Sequence, residues 1–402
     1  MDKTVDNNTH GYQEKEIESI INKLNKQVGS LEEIGYNERY IKHKRKKRLK
    51  RVKFWKLAVL QVSLTALMVI GLCYGYLRVT LEIMRETDKA DAVILQEEEF
   101  DIDGLDKIDE YIQADTSQIS WESTKYKGTV KSHGVINVLL MGEENVEDDL
   151  RGRADSIIIA TLNTEAKEIS LTSIMRDSYV RIPGHSENKI NAAYQVGGIE
   201  LLKETIELNY GLAVDKYVKV DFGAFEYIVD AVDGVDIKLS KEEAKYLRST
   251  NYISKKKYRT VKAGMNHMNG NQALGYSRIR YVPTPNNLYY DYGRTYRQRY
   301  VLNQMFDAYK NATSFEIISL IPKIRDYVTT DMNSDEMIQY VSDVLTLGIK
   351  DINQYRLPID GTYTEARVGT MLALVIDDFD ANRDYLYSKL YKGVDIGEYT
   401  NN

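Results

Sequence analysis

The chain has 402 residues, with 54 lysines and arginines against 60 aspartates and glutamates, and a single cysteine. An apolar content of 43% excludes a wholly disordered or collagen-like chain. One cysteine excludes an intramolecular disulfide framework and a cysteine-based metal centre. The 31 tyrosines against seven phenylalanines indicate many aromatic side chains that lie partly in water.

The formal net charge of −6 hides an uneven distribution of charge. Residues 1–56 contain 15 basic and 8 acidic residues, a net of +7, so the remaining 346 residues carry −13. Most of the positive charge lies in one run, KHKRKKRLKRVK, from Lys42 to Lys53. By itself such a run is typical of nucleic-acid binding, of nuclear targeting or of a membrane-surface patch.

An uncharged apolar segment, residues 57–77 (LAVLQVSLTALMVIGLCYGYL), follows the basic run. As a helix it would be about 31 Å long, which matches the hydrocarbon core of a bilayer. A buried core helix is the alternative, but the adjacent basic residues favour a transmembrane signal anchor, and a cleaved signal peptide would start near residue 1. The positive-inside rule predicts that residues 1–56 are a cytoplasmic tail and that the chain beyond Arg78 is extracellular.

The remainder of the chain divides into an acidic segment and a domain with regular hydrophobic patterns. Residues 78–131 contain 7 basic and 14 acidic residues and predict an extracellular stalk. Short β-branched runs and helical spacing predict a folded domain over residues 132–395. The predicted strands are Ile136–Gly142, Ser156–Leu162, Ile169–Met175, Lys216–Phe222 and Val235–Ser240, and the predicted helices are Ile199–Gly211, a segment ending at Val232, Arg294–Asn311 and Asp335–Leu347. Alternating strands and helices predict an α/β domain in which helices cover a mixed sheet.

Several common catalytic motifs are missing from the sequence. It contains no GxSxG nucleophile elbow, Walker loop, HExxH motif or GxGxxG after a strand. The five histidines are scattered, which argues against a histidine-based triad or zinc site. Arginines and carboxylates instead concentrate in four segments, DDLRGRADS, SIMRDS, SRIRY and DYGRTYRQR.

The arginine-rich segments predict a phosphate site. Arg278 and Arg280 share a face if their segment is extended, and Arg294, Arg297 and Gln298 have the spacing of one helix face. Arginine suits phosphate because its planar fork donates two parallel hydrogen bonds and stays charged when desolvated. Carboxylates among arginines either pair with them or hold a hard cation such as Mg²⁺. Together these residues predict a diphosphate site on the outer face of a membrane, with solvated ion pairs as the alternative for each pair alone.

From Ile136 to about Tyr391 the chain resembles the LytR–CpsA–Psr (LCP) family of cell-envelope glycopolymer transferases. The matching blocks, in family order, are GRADSIIIATLN, SLTSIMRDSYVRIPG, KINAAYQVGG, VDFGAF, VDAVDGVDI, MNGNQALGYSRIRY and DYGRTYRQR. The resemblance implies a three-layer α-β-α domain with a mixed central sheet, behind a single N-terminal transmembrane helix. It also implies a hydrophobic cavity that holds a polyprenyl chain.

The resemblance assigns roles to individual residues. It implies that the pyrophosphate is bound by Arg153, Arg176, Arg278, Arg280, Arg294 and Gln298, and that catalysis depends on Arg278, Arg280, Arg294 and Asp291. Asp155 is the expected Mg²⁺ ligand. Family members read G-x-D after the first strand, whereas this chain reads MGEEN, which leaves Glu144 (or Glu143) as the second expected ligand. The chain also carries an inserted loop, VPTPNNLYY, before Asp291, which either shapes a glycan groove or is an ordinary loop.

The resemblance further implies a reaction and its partners. An acceptor hydroxyl of peptidoglycan attacks the sugar-proximal phosphorus of an undecaprenyl-pyrophosphate-linked glycopolymer, such as teichoic acid or capsular polysaccharide, and undecaprenyl phosphate leaves. Asp177 and Asp291 are candidates for the general base. The alternatives are a polyprenyl-pyrophosphate hydrolase, a lipid-glycan binding protein and a membrane-bound transcriptional attenuator. A single-pass protein of a Gram-positive cell membrane is expected, with no nucleic-acid partner.

Overall fold

The structure, a computed structural model, covers part of the chain. It describes residues 8–84, 111–121, 126, 128–143, 152–310, 319, 322, 324 and 327–396. Within the helices, some residues have a described backbone but no described side chain, namely 8–15, 31–36, 38–41, 49–62, 64, 83–84 and 309. The chain divides into two compact units, Met1–Gly75 and Tyr76–Asn402.

The first unit consists, in its described part, of helix α1 (Asn8–Met84), which continues into the second unit. Its described side chains are exposed, including Ile17, Leu24 and the lone Cys73. Within the described residues, no helix combines the length and the apolar character needed to cross a bilayer. The start of the apolar run, residues 57–62, has no described side chains. The transmembrane segment over residues 57–77 therefore stays a prediction.

A six-stranded sheet forms the centre of the second unit. In spatial order its strands are β10 (Ile352–Leu357), β3 (Glu168–Ile174), β2 (Ala154–Asn163), β1 (Val135–Glu143), β6 (Lys216–Asp221) and β9 (Val328–Thr330). β1 pairs antiparallel with β2, and β2 with β3, whereas β6 runs parallel to β1 and β10 runs parallel to β3. The mixed α/β architecture predicted from the sequence is confirmed.

The two faces of this sheet are covered differently. Along β1, buried and half-buried side chains alternate, because successive side chains of a strand point to opposite faces. The face of Leu139 and Ile159 packs with helices α2 (Ile190–Tyr210) and α8 (Phe379–Leu390) into the main core. The opposite face carries several half-buried apolar side chains, namely Val138, Leu140, Ala160, Val218 and Val220, beside fully buried ones such as Ile158 and Leu171.

Two helices contact the half-buried face. Ser156 and Lys216 belong to it, because they pair in register with Gly142 and Val138 of β1. Ser156 Oγ lies 3.3 Å from Gln298 Oε1 of helix α6 (Tyr290–Tyr309). Lys216 Nζ lies 2.8 Å from Glu336 Oε1 of helix α7 (Ser334–Leu347). Helices therefore lie on both sides of the central sheet.

Two smaller sheets and three short α-helices are also described in this unit. One sheet has the order β11 (Tyr363–Val368), β12 (Met371–Ile376), β4 (Ser178–Val180) and β5 (Asn188–Lys189), and the other pairs β7 (Val235–Leu239) with β8 (Gly264–Met268). Helices α3 (Phe222–Ala231), α4 (Lys241–Ser249) and α5 (Gly270–Ser277) surround β7 and β8 in a second apolar cluster. The predicted strand at Val235 thus exists but lies outside the central sheet.

Helix ends follow the local sequence. Ser240 and Glu243 form a capping box at the start of α4, and Asn269 with Gln272 does the same for α5, so the first free N–H groups of each helix are satisfied. Helix α2 ends at Gly211, which adopts a left-handed conformation (φ 62°). It is kinked at Gly198, and the predicted helix from Ile199 corresponds to its second half.

Part of the predicted stalk packs on the folded unit. Trp121 lies with its ring centroid 5.7 Å from Phe379 and 6.0 Å from Tyr179, and Val130 bridges to Leu212. Nearer the first unit, Leu81 is buried in a small apolar cluster with Leu77 and residues of α7. Leu81, Trp121, Tyr126 and Val130 therefore contribute to the packed unit, while residues 85–110, 122–125 and 127 of the stalk lie outside the described part.

Candidate active site

The predicted site residues gather at one edge of the central sheet. The register places the ends of β1, β3, β6 and β10 and the start of β2 at this edge, because Glu143 pairs with Ala154 and Asp221, and Ile174 pairs with Ile157 and Leu357. Asp155 at the start of β2 and Arg176 just after β3 consequently face each other. Neighbouring strand ends thus bring together residues that are distant in the sequence.

Arg176 lies at the centre of this group. Its Nη1 donates to Asp155 Oδ1 at 2.7 Å, and its Nε donates to Asp291 Oδ2 at 3.0 Å. Asp177 Oδ2 lies 3.8 Å from the same Nε. The side chains of Arg176, Asp155 and Asp291 are each about 15% exposed, so these contacts form in a partly desolvated environment. A single guanidinium therefore joins three carboxylates.

The first turns of α6 supply the other side of the cluster. Arg294 Nη2 lies 2.9 Å from Asp291 Oδ2, three residues earlier on the helix, and its Nη1 lies 3.8 Å from Asp155 Oδ1. Arg280 Nε reaches Asp291 Oδ1 at 3.4 Å. The helix starts close to the preceding loop, because a Cβ on Gly293 would lie 2.8 Å from the Leu288 carbonyl oxygen. Only glycine fits there without displacing the loop.

The arginines dominate the electrostatics of the cluster. Burial alone would raise the pKa of Asp291, but the guanidinium groups of Arg294, Arg176 and Arg280 outweigh burial and lower it to about 2. Burial lowers the pKa of Arg294 to about 10, with Asp291 opposing the shift. Arg294 Nε is buried and has no hydrogen-bond partner among the described residues. Both residues remain ionised at neutral pH.

Asp177 behaves differently from Asp291. Burial raises its pKa, and the nearby charges of Lys189 and Arg176 oppose this shift. Lys189 Nζ lies 3.2 Å from Asp177 Oδ1. Of the two carboxylates that are candidates for the general base, Asp177 thus has the pKa that moves towards neutrality.

Three further predicted residues contact neighbours at the same edge. The Arg278 guanidinium lies 4.6 Å from the centroid of the Phe222 ring, at the start of α3. Arg153 Nε lies 3.3 Å from Gln195 Oε1, and Gln298 accepts from Ser156 as described above. Arg278 and Arg280 do not share a strand face, because their segment does not form a strand. Arg278 is the C-cap of α5 in a helical conformation.

Arg297 corrects the prediction of a shared helix face. Arg294 and Gln298 turn towards the sheet edge, whereas Arg297 is fully buried elsewhere against Glu243. Its Nε and Nη2 lie 3.0 and 2.8 Å from Glu243 Oε1. Its Nη1 and Nη2 also donate to the carbonyls of Ile279 and Val282. Two residues that are i and i+3 on a helix can thus serve different sites.

The expected metal ligands are only partly described. Glu144 lies outside the described residues. Glu143 is engaged in protein contacts, since its carboxylate accepts from Gly152 N at 3.0 Å and from the Tyr194 hydroxyl at 2.9 Å. Across the described part of the chain, no group of three or more His, Cys, Asp or Glu side chains is arranged to hold a metal ion. Asp155 remains the one described carboxylate proposed for Mg²⁺.

The structure adds residues that the sequence did not single out. Lys189 pairs with Asp177, Gln195 contacts Arg153, and Phe222 lies under Arg278. Each belongs to a block that matches the family, KINAAYQVGG or VDFGAF. Membership of these blocks indicates that the three residues lie near the site. It does not identify their contact partners, because each partner is more than 10 positions away in the chain.

The chain is similar in sequence to known proteins. The family model described as "LytR_cpsA_psr family" matches residues 101–383. Regulatory protein MsrR of Staphylococcus aureus (strain COL) is 31% identical over 252 residues, covering 61% of this chain and 71% of that protein. The Polyisoprenyl-teichoic acid--peptidoglycan teichoic acid transferase TagU of Bacillus mycoides (strain KBAB4) is 29% identical over 262 residues, 64% of this chain and 78% of that protein.

A solved structure agrees with the family model. The crystal structure of B. subtilis TagV is similar with a TM-score of 0.51 and 27% sequence identity, and the match covers 67% of this chain and all of that chain. The same arginine and aspartate blocks lie within the residues that the family model matches. The chain therefore belongs to the LytR–CpsA–Psr family.

Proposed function

We propose that the protein transfers a glycopolymer from an undecaprenyl-pyrophosphate carrier to peptidoglycan. The observation that carries this proposal is the convergence of Arg176, Arg280 and Arg294 on Asp155 and Asp291 at one sheet edge. The names of two relatives support it, because TagU and TagV are each called a teichoic acid transferase that acts on peptidoglycan. We propose the transferred polymer only as a class, namely a glycan linked to a lipid pyrophosphate.

The lipid part of the donor has a candidate location. The half-buried sheet face carries apolar side chains on β1, β2 and β6, and Ser156 on this face contacts Gln298 of α6, the helix that carries Arg294. A polyprenyl chain placed there would remove apolar surface from water, which stabilises the complex. The pyrophosphate would then lie beside Arg176, Arg280 and Arg294, with Arg153, Arg278 and Gln298 as further contacts.

The proposed reaction is a phosphoryl transfer. The oxygen of a sugar hydroxyl on peptidoglycan forms a bond to the sugar-proximal phosphorus, the bond to the bridging oxygen breaks, and undecaprenyl phosphate leaves. Asp177 accepts the hydroxyl proton. Arg278, Arg280 and Arg294 stabilise the negative charge that develops on the phosphate oxygens, while Asp291 holds Arg176, Arg280 and Arg294 in place. Such reactions depend on positioning and charge stabilisation rather than on a covalent protein intermediate.

A magnesium ion fits one feature of this site. Mg²⁺ is commonly held by one or two carboxylates together with substrate phosphate oxygens and water, so Asp155 beside a pyrophosphate is a suitable donor set. When bound, Mg²⁺ would neutralise charge on the phosphate oxygens. We expect Asp155→Asn to weaken Mg²⁺-dependent stabilisation of the donor complex, measured as a smaller rise in melting temperature when Mg²⁺ and the lipid pyrophosphate are added together.

A purified assay tests the proposal. The full chain in detergent is incubated with a lipid-pyrophosphate-linked glycan and peptidoglycan, and polymer bound to peptidoglycan is measured. Arg278→Ala is expected to reduce transfer at least about 100-fold, because a stabilising donor at the phosphate is removed. Arg248→Ala, on α4 with one bond to the Val261 carbonyl, is the matched control. Wild-type transfer by Arg278→Ala would contradict the assignment.

Two other functions would give different outcomes. In a lipid-pyrophosphate hydrolase, water replaces the sugar hydroxyl, so donor consumption would be independent of peptidoglycan. One relative, MsrR, is named a regulatory protein, and a membrane-bound transcriptional attenuator is the second alternative. Footprinting of DNA by residues 1–56 would support such a role here. The position of the basic run beside the apolar segment favours membrane topology and anionic lipid instead.

The proposed topology has its own test. We propose that residues 57–77 anchor the protein in a Gram-positive cell membrane, with residues 1–56 in the cytoplasm and the folded unit outside. In a Cys73→Ser background, His185→Cys is expected to react with a membrane-impermeant maleimide on intact cells, and Thr4→Cys only after lysis. Labelling of both positions on intact cells would contradict this orientation.

A further inference from the structure

Three exposed tyrosines lie on the rim of the arginine cluster. Tyr281, Tyr289 and Tyr290 are 39%, 42% and 61% exposed. Tyr289 and Tyr290 end the inserted loop and Tyr281 precedes it, so Tyr281 follows Arg280 directly and Tyr290 precedes Asp291. Large aromatic side chains that remain in water beside a charged site leave apolar surface available for a ligand.

The loop that carries these tyrosines is held by its own hydrogen bonds. Thr284 N donates to the Leu288 carbonyl and Asn287 N to the Thr284 carbonyl, each at 2.9 Å. Leu288 N donates to Thr284 Oγ1 at 3.0 Å. Where the loop leaves α5, the buried Arg297 binds the carbonyl of Val282. The loop is therefore built to keep a defined shape.

Tyr290 has an unusual backbone conformation. Its φ is 48°, in the left-handed region that bulky residues avoid. Its backbone N–H donates to the Arg280 carbonyl at 2.8 Å, so the same residue is tied to the arginine cluster. A conformation that costs energy persists where the surrounding structure enforces it, and such positions are concentrated at functional sites.

The rings form a corner rather than a closed stack. The Tyr281 and Tyr290 rings are 6.3 Å apart and nearly perpendicular, at 85°. The Tyr289 and Tyr290 rings are also 6.3 Å apart, at 44°. A pyranose ring presents C–H groups on its face and hydroxyls at its edge, which complements an aromatic face with polar tips.

We propose that Tyr281, Tyr289 and Tyr290 form a subsite that binds the glycan strand of the peptidoglycan acceptor. This inference rests on the proposed function and assigns one partner to one part of the site. The acceptor is a large polymer that must approach from solvent, and these tyrosines are more exposed than the arginines and aspartates beside them. The half-buried sheet face is suited instead to the lipid of the donor.

A binding experiment tests the subsite without requiring turnover. The full chain in detergent is titrated with a peptide-free oligosaccharide of alternating N-acetylglucosamine and N-acetylmuramic acid, followed by calorimetry. Tyr289→Ala and Tyr290→Ala are each expected to weaken binding about five- to tenfold, as truncation of a tyrosine at the centre of an interface commonly does. Tyr290→Phe keeps the ring and is expected to retain wild-type binding.

An exposed tyrosine pair elsewhere supplies the matched control. Tyr227 and Tyr327 stack with centroids 4.4 Å apart and are 37% and 43% exposed. Tyr327→Ala is expected to leave binding of the oligosaccharide unchanged. Equal loss in this control, or wild-type binding by both Tyr289→Ala and Tyr290→Ala, would overturn the subsite.

Steady-state transfer separates the two substrates. Tyr290→Ala is expected to raise the KM for the acceptor by the same factor while the KM for the lipid donor stays unchanged. A rise confined to the donor KM would overturn the acceptor assignment. If the wild-type chain binds the oligosaccharide but transfers nothing, the proposed function fails while the subsite stands. If it transfers at full rate in every tyrosine variant, only the subsite fails.

Discussion

Two buried arginines on helix α6, three residues apart, have contrasting surroundings. Arg297 is fully buried, and each of its three side-chain nitrogens donates to Glu243 or to a backbone carbonyl. Arg294 is almost as buried but shares Asp291 and Asp155 with other arginines, and its Nε has no partner within the described residues. One charge is matched by a single carboxylate, whereas the other belongs to a crowded cationic group.

The contrast separates a structural ion pair from the proposed ligand site. A buried charge is tolerated when its hydrogen bonds are complete, and a partly satisfied network stays costly until something completes it. The charge and the hydrogen bonds of Arg297 are already matched by Glu243 and the two backbone carbonyls. Around Arg294 an anionic ligand would supply the missing acceptor. Burial of an arginine alone is therefore not a sign of function, and an unsatisfied nitrogen alone is not one either, because Arg299 and Arg383 also have a buried Nε without a hydrogen-bond partner among the described residues. What distinguishes Arg294 is that it shares Asp155 and Asp291 with other arginines.

Removing Arg297 from its ion pair with Glu243 is expected to give the largest loss of stability. Arg297→Ala leaves the Glu243 carboxylate buried without its partner, which should lower the free energy of unfolding by about 3–5 kcal/mol. Urea denaturation measures this loss. The double variant Arg297→Met with Glu243→Met removes both charges and should recover most of the stability. A double variant as unstable as Arg297→Ala would contradict this account.

Breaking the incomplete cluster should affect activity more than stability. Arg294→Ala is expected to lower the rate of transfer about 100- to 1,000-fold, because a guanidinium aimed at the developing charge is lost. Asp155 and Asp291 keep Arg176 as a partner, so the free energy of unfolding should fall by only about 1 kcal/mol. Unfolding curves and transfer rates on one preparation test both. A stability loss as large as that of Arg297→Ala would erase the contrast.

The pH dependence of stability follows from Asp291. Its folded-state pKa of about 2 lies below the ordinary aspartate value, so its ionised form stabilises the fold above about pH 4, and this contribution is lost as the pH falls towards 2. The contribution at neutral pH is about 2 kcal/mol. Asp291→Asn should therefore be less stable than the wild type at pH 6, with the difference shrinking at low pH. A difference that is constant from pH 6 to pH 2.5 would contradict this.

A third arginine of α6, Arg299, can be compared with Arg294 and Arg297, and its replacement is expected to have the smallest effect. Arg299 is buried, and burial together with nearby Arg356 lowers its pKa to about 10. Its Nε and Nη1 have no hydrogen-bond partner in the part of the chain that is described. Arg299→Met removes these unsatisfied donors and is expected to raise the free energy of unfolding by about 1 kcal/mol. A loss of stability would show that Arg299 is a structural residue like Arg297.

The local patterns predicted much of the fold. The β-branched runs identified β1, β2, β3, β6 and β7 to within about two residues at each end, because alternation and turn residues act over short distances. Strands β4 and β5 and strands β8 to β12 were not predicted. The polar sequence of β10 (INQYRL) conceals a strand that pairs with β3. Its conformation is stabilised by long-range pairing rather than by its own residues.

The site shows the same division between local and long-range information. The spacing of Arg294 and Gln298 predicted a shared face correctly, but Arg297 was grouped with them because helical spacing does not identify partners. Its partner Glu243 is 54 positions earlier in the chain. Arg280 contacts Asp291, whereas Arg278 lies over the Phe222 ring at a helix end rather than on a strand, so the extended geometry considered for this pair is not the one observed.

By itself, the sequence determined the family, the positions of five strands along the chain, the uneven charge and the arginine-rich segments, because these depend on composition, motifs and short-range periodicity. Only the tertiary structure decided how each charge is paired. It joined Asp155, Arg176 and Asp291 across three separate segments, directed Arg297 to Glu243, and left the arginine cluster incompletely satisfied. Pairing depends on which strand ends and helix faces meet, and those meetings are set by the packing of the whole unit.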